Sequence, residues 1–175
     1  MIKRLNFYSK ATVEANPLDP SFAVISINSP ATETNIQGTD KILHLEFLDL
    51  EEKDVDEEMI LEGIAFNDRH AKLIIDFVNM IQKDESVNTL IVHCFAGVSR
   101  SAAVSLAIFH YLKENQMLST DFDFPSIMQT HYANTLVTST FDKILREKIN
   151  VPTLKDAQEA LEEVLVYIPK MFKPL

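Results

Sequence analysis

The chain holds a single cysteine, Cys94, and six positions later an arginine, Arg100, with Gly97 between them in the run "HCFAGVSRS" (93–101). A continuously apolar segment, "TLIVH" (89–93), precedes this run, and a helical pattern follows it. If Val92–His93 closes a buried strand and Ser99–Arg100 opens a helix, residues 94–100 are the turn between them. Ligands of open α/β sheets sit outside the carboxyl ends of the strands. A helix N-terminus at that place offers unpaired N–H groups and the positive end of a dipole, which together attract an anion. Only three glycines occur in the chain, and placing one inside this turn implies a backbone that curls tightly. A curled row of N–H groups is a nest for a tetrahedral oxyanion. The same field favours the thiolate of a cysteine at its base. Arg100 adds a planar two-pronged donor suited to phosphate oxygens. The residue types therefore describe a nucleophile beneath a seat for a phosphoryl group.

The elements that must hold this loop are legible from periodicity. Segments 4–8 ("RLNFY"), 22–27 ("FAVISI") and 42–50 ("ILHLEFLDL") read as strands, the first two separated by a polar stretch with Pro17 and Pro20. An acidic run, 49–58, follows and is expected to be a solvated loop feeding a helix N-terminus, where carboxylates suit the dipole. Phe66, His70, Leu73, Ile74, Phe77, Val78 and Ile81 recur at spacings of three and four, the mark of one buried helical face. Segment 89–93 is apolar throughout, as in a central parallel strand covered on both sides. Residues 99–114 form a helix that is apolar nearly all round and so belongs in the interior. Further helices are expected at 125–133 and at 136–149, the latter burying Val137, Phe141, Ile144 and Leu145. A last helix spans 153–168, with Thr153 and Asp156 spaced as a capping box and Pro169 ending or kinking it. Alternating strands and helices imply a single α/β domain over 1–175, its central, mostly parallel sheet flanked by helices and its last third helical.

The run "HCFAGVSRS" resembles the His-Cys-x5-Arg-Ser/Thr motif of the cysteine-dependent protein tyrosine phosphatases, in the flavour of the small dual-specificity branch. The resemblance covers residues 1–149, leaving an additional C-terminal helix at 153–172. It implies a phosphatase-like fold and hydrolysis of phosphate monoesters through a phosphocysteine, without cofactor or metal. By that resemblance Cys94 attacks phosphorus, Arg100 clamps the equatorial oxygens, and Phe95, Ala96, Gly97, Val98 and Ser99 supply the backbone cradle. Ser101 eases departure of the thiolate, and His93 supports the loop. An aspartate from a separate loop protonates the leaving group. Asp49, at the end of the third strand, is the choice, with Asp54 and Asp56 as alternatives and Asp68 committed to the following helix. The implied substrate is a phosphorylated protein, on tyrosine and also on serine or threonine, or a small phosphate monoester.

Departures from that family bear on specificity. The chain has no tryptophan and hence no Trp-Pro-Asp acid loop, and the cradle carries no lysine of the kind found in phosphoinositide-directed relatives. Both absences favour a shallow, permissive site. Two other readings of the same loop stand beside this one. One is a non-catalytic phosphate-binding module, and the other a rhodanese-like sulfurtransferase, against which the Arg100–Ser101 pair argues. His44, His70, His110 and His131 lack zinc-ligand spacing and read as packing or surface. Asn134 and Thr135 could touch the site, although a helix start is the favoured reading of "HYANTLV".

Composition sets the outer bounds. A net charge of −10 argues against nucleic-acid and anionic-membrane partners, which require clustered Lys and Arg. The first ten residues lack the apolar region of a signal peptide, and no apolar run reaches the length of a membrane span. One cysteine makes no internal disulfide. The expectation is a cytoplasmic globular enzyme of unspecified oligomeric state.

Overall fold

Every residue of the apolar run Thr89–Cys94 is buried, and this strand lies inside the sheet with a neighbour on each side. The computed structural model describes residues 1–124, 132–146 and 149–159. Four parallel strands, β1 (Arg4–Ser9), β2 (Phe22–Asn28), β3 (Ile42–Glu46) and β4 (Thr89–Cys94), lie in the order β1-β4-β2-β3. Because all four run the same way, Ser9, Asn28, Glu46 and Cys94 end on one edge of the sheet.

Side chains alternate across that sheet as the pleat requires. Ala23, Ile25, Ile27, Leu90 and Val92 join the main core, whereas Val24 and Ile91 point the other way into a small cluster with Val13. The main core is closed by α3 (Asp68–Gln82), α4 (Arg100–Glu114) and α5 (Thr135–Leu145). Nine consecutive residues of α4, Arg100 to Ile108, are buried, in keeping with an interior helix. The two short helices are α1 (Lys10–Glu14) and α2 (Glu57–Leu61). Among the described residues, no helix is long and apolar enough to cross a membrane.

Several local expectations need correction. The stretch after β1 is not simply a polar connection, because Ser9 caps a helical turn there by accepting from the Thr12 N–H. The third strand stops at Glu46, four residues short of the expected end. Phe47 N–H still reaches Asn28 O at the end of β2, and from Leu48, whose N–H bonds to Ile64 O, the chain leaves that strand. Leu73 sits on the expected apolar face of α3 yet is 40% exposed, while Ile74, Phe77, Val78 and Ile81 are buried as expected. His70 does more than pack, since its Nδ1 accepts from the Asn67 N–H and completes a capping box. Helix α5 ends at Leu145, where Arg146 adopts the left-handed conformation with φ of 55°. Thr153 and Asp156 form the expected reciprocal cap, and residues 154–159 are helical. The helix expected at 125–133, the remainder of that expected at 153–168, His131 and Pro169 lie outside the described residues or largely so.

Candidate active site

Cys94 is the last residue of β4 and is 2% exposed. Its Sγ lies 3.2 Å from Ser101 Oγ and accepts from the Gly97 N–H at 3.3 Å. The loop folds over it as the sequence requires. Gly97 has φ of +74°, and a Cβ at that position would meet Ser9 N at 2.4 Å and the Tyr8 carbonyl carbon at 2.5 Å. Lys10 N–H also donates to Phe95 O, so the loop leans on the end of β1 from two points. Among the described residues, no acceptor faces the N–H groups of Ala96, Val98, Ser99 or Arg100. Ser99 occupies the N-cap position of α4 but makes no capping bond; its hydroxyl turns to Asp49 Oδ1 at 2.7 Å. The helix N-terminus is thereby left open to an anion.

Gly97→Ala is accordingly expected to displace either the loop or the β1 terminus. Relief of a contact that short against backbone should cost about 2 kcal/mol or more. The urea midpoint and the affinity for tungstate should both fall. Unchanged tungstate binding would show that the curl is not needed for the anion seat.

Arg100 opens α4 and is 4% exposed. Its Nη1 donates to Phe47 O at 2.7 Å and reaches Ser29 Oγ at 3.5 Å, and its guanidinium carbon stands 5.9 Å from the centre of the Phe47 ring. Nε has no hydrogen-bond partner among the described residues. Its nearest charge is Asp49 Oδ2 at 3.8 Å, an electrostatic neighbour beyond hydrogen-bond range.

Asp49 lies three residues past β3, on the sheet edge that carries Cys94, and its side chain is 41% exposed. It gathers Ser99 Oγ, Arg100 and Asn134 Nδ2, the last at 2.9 Å. The alternatives are placed elsewhere. Asp56 caps α2 by accepting from the Met59 N–H at 2.9 Å, Asp54 sits in a 3-10 turn (Glu52–Asp54), and Asp68 stands in the first turn of α3. The acidic run thus feeds a helix N-terminus, and Asp49 alone of the four contacts the cradle.

His93 is fully buried and its Nε2 lies 2.9 Å from Ser26 Oγ. Ser26 Oγ also accepts from Asn28 Nδ2 at 3.1 Å, and Asn28 Oδ1 from Thr34 Oγ1 at 2.6 Å. Burial pushes the imidazole down from 6.5 to about 4, partly opposed by a backbone contact at Cys94. The folded protein therefore holds the ring neutral at pH 7. The linked stability is complete above the unfolded value of 6.5 and drains as pH falls through that value towards 4. We expect about 3 kcal/mol to be lost by pH 4. Urea midpoints at pH 7 and 4.5 test this, and the pH dependence should flatten in His93→Gln.

Sequence reasoning did not find Ser26, Ser29 or the contact of the loop with Tyr8 and Ser9. No spacing marks them, because they arrive from β1 and β2 only when the sheet assembles. Among the described residues, no group of histidines, cysteine and carboxylates is placed to hold a metal ion. No family model and no curated protein matches the chain.

Proposed function

We propose that this chain hydrolyses phosphate monoesters through a phosphocysteine, acting on phosphotyrosine and also on phosphoserine or phosphothreonine in proteins. The observation that carries this reading is the convergence on Cys94 Sγ of Ser101 Oγ and the Gly97 N–H, at the base of a loop whose other N–H groups have no acceptor among the described residues. The Nε donor of Arg100 is likewise without an acceptor among them, and a phosphate oxygen would satisfy it. Sulfur attacks phosphorus in line, and the ester oxygen leaves with a proton from Asp49. Water then attacks the phosphocysteine, with the same carboxylate accepting its proton, and inorganic phosphate departs. Ser101 stabilises the thiolate that this second step releases. The resemblance of residues 93–101 to the protein tyrosine phosphatase motif points the same way.

Steady release of phosphate from an aryl phosphate in the presence of a chelator is the expected result. Tight tungstate binding without turnover would favour a phosphate-binding module. Transfer of sulfur from thiosulfate to cyanide would favour the sulfurtransferase reading.

A further inference from the structure

Asn134 is 1% exposed and joins three parts of the site through one side chain. Its Oδ1 accepts from the Val137 N–H at 3.0 Å and caps α5. Its Nδ2 donates to Asp49 Oδ1 at 2.9 Å and to Leu50 O at 3.0 Å. Its backbone N–H reaches Ser99 O at 3.4 Å, on the cradle itself. Every hydrogen-bonding group of the amide is engaged, with the oxygen towards a donor and the nitrogen towards two acceptors. Reversing the amide would set oxygen against a carboxylate and a carbonyl and nitrogen against an N–H. The partners thus admit one orientation and one residue type.

We propose that Asn134 is the positioning residue for the leaving-group proton. It fixes the Asp49 carboxylate relative to the cradle by tying residues 49–50 to the start of α5. The inference rests on the functional reading above. It goes beyond a helix cap, because a cap requires only the acceptor oxygen, whereas Nδ2 is spent wholly on the acid loop. A second tie lies beside it, where the Glu51 carboxylate accepts from both the N–H and the hydroxyl of Thr135. The first turn of α5 therefore grips residues 49–51 through two adjacent side chains. Removal of the Nδ2 donor leaves Asp49 hydrogen-bonded to Ser99 alone, free to swing on an exposed loop. A small misplacement of a proton donor is costly when the leaving group is a strong base and nearly harmless when it is a weak one.

The test uses variants that keep the cap. Ser in Asn134→Ser still accepts from the Val137 N–H, and Asn134→Asp keeps the shape but turns the donor into an acceptor facing Asp49. Each is compared with the parent and with Asp49→Asn on p-nitrophenyl phosphate and on phenyl phosphate. We expect kcat for phenyl phosphate to fall by roughly tenfold or more relative to p-nitrophenyl phosphate, with Asn134→Asp the worse of the two. The alkaline limb of the kcat profile should flatten as in Asp49→Asn. In the Asp49→Asn background, Asn134→Ser should add no further leaving-group effect. Equal slowing of both esters, or full additivity with Asp49→Asn, would overturn the proposal and leave Asn134 a helix cap. A parent protein that hydrolyses neither ester would defeat the functional reading instead. The hold is then judged by NMR of the Asn134 side-chain amide. Slow exchange of its protons, lost in Asp49→Ala, supports the tie, and fast exchange in the parent refutes it.

Discussion

Cys94→Ser is expected to abolish turnover while leaving tungstate binding largely intact. Nucleophile and anion seat are separable in this site. The proposed seat consists of backbone N–H groups on residues 95–100 and the Arg100 guanidinium; of these the Gly97 N–H touches the sulfur, at 3.3 Å, while the curl and the guanidinium are held by other contacts. Gly97 holds the curl by packing on Tyr8 and Ser9, and Arg100 is fixed through Phe47 O and Ser29. Serine at position 94 would still be reached by Ser101 and the Gly97 N–H, but its hydroxyl is not ionised near neutral pH and is a poor nucleophile without a base. The adjacent imidazole, His93, is buried and turns its Nε2 towards Ser26 Oγ. Steady-state hydrolysis by a clean Cys94→Ser preparation, measured against the parent, would overturn the covalent mechanism.

Arg100→Lys is expected to fail nearly as badly as Arg100→Ala, by roughly 3–4 kcal/mol or more in kcat/KM, the scale of a lost oxyanion donor. The guanidinium uses one nitrogen to anchor itself on Phe47 O and keeps Nε without an acceptor, while its plane stands near the Phe47 ring. Anchoring and clamping are thus divided among different nitrogens of a single rigid fork. An ammonium has one nitrogen for both tasks. If it takes Phe47 O it cannot reach two phosphate oxygens, and if it takes the phosphate it leaves a buried carbonyl unpaired. Near-normal kcat/KM in the lysine variant would reduce Arg100 to a counter-charge.

The strand–loop–helix frame of the site was readable because its determinants are local. An apolar run of strand length, a glycine in the turn and an apolar helix each declare themselves over a few residues, and Cys94, Gly97, Arg100 and Ser101 stand as that pattern requires. The placement of Asp49 beside the loop was legible from one further inference, that parallel strands open on the same edge. Its immediate company was not. Asn134 read chiefly as a helix start that could also touch the site, since its place before Val137 suits a capping acceptor but nothing reveals where a spare N–H points. Ser26 and Ser29 look like ordinary strand-end serines until β2 docks beside β4. The early end of β3 was missed because "FLDL" stays largely apolar, although the Phe47–Leu48 pair breaks the period of two. The bond from Leu48 N–H to Ile64 O takes the chain away from the sheet there.

The neighbour of β4 on its outer side is the first strand of the chain, with Arg4 opposite Thr89 and Ser9 opposite Cys94. Bringing those partners together closes a loop that contains β2, β3 and α3, and such distant pairings form late, after nearer contacts have offset the lost chain entropy. The turn from Cys94 to Arg100 leans on Tyr8 and Ser9, so it cannot take its final shape before that closure. A newly made polypeptide would carry the complete motif for some time without the curvature that makes the motif reactive. Competence for chemistry and completion of folding would then arrive together, and the thiol would be sheltered from neither solvent nor oxidant until they did.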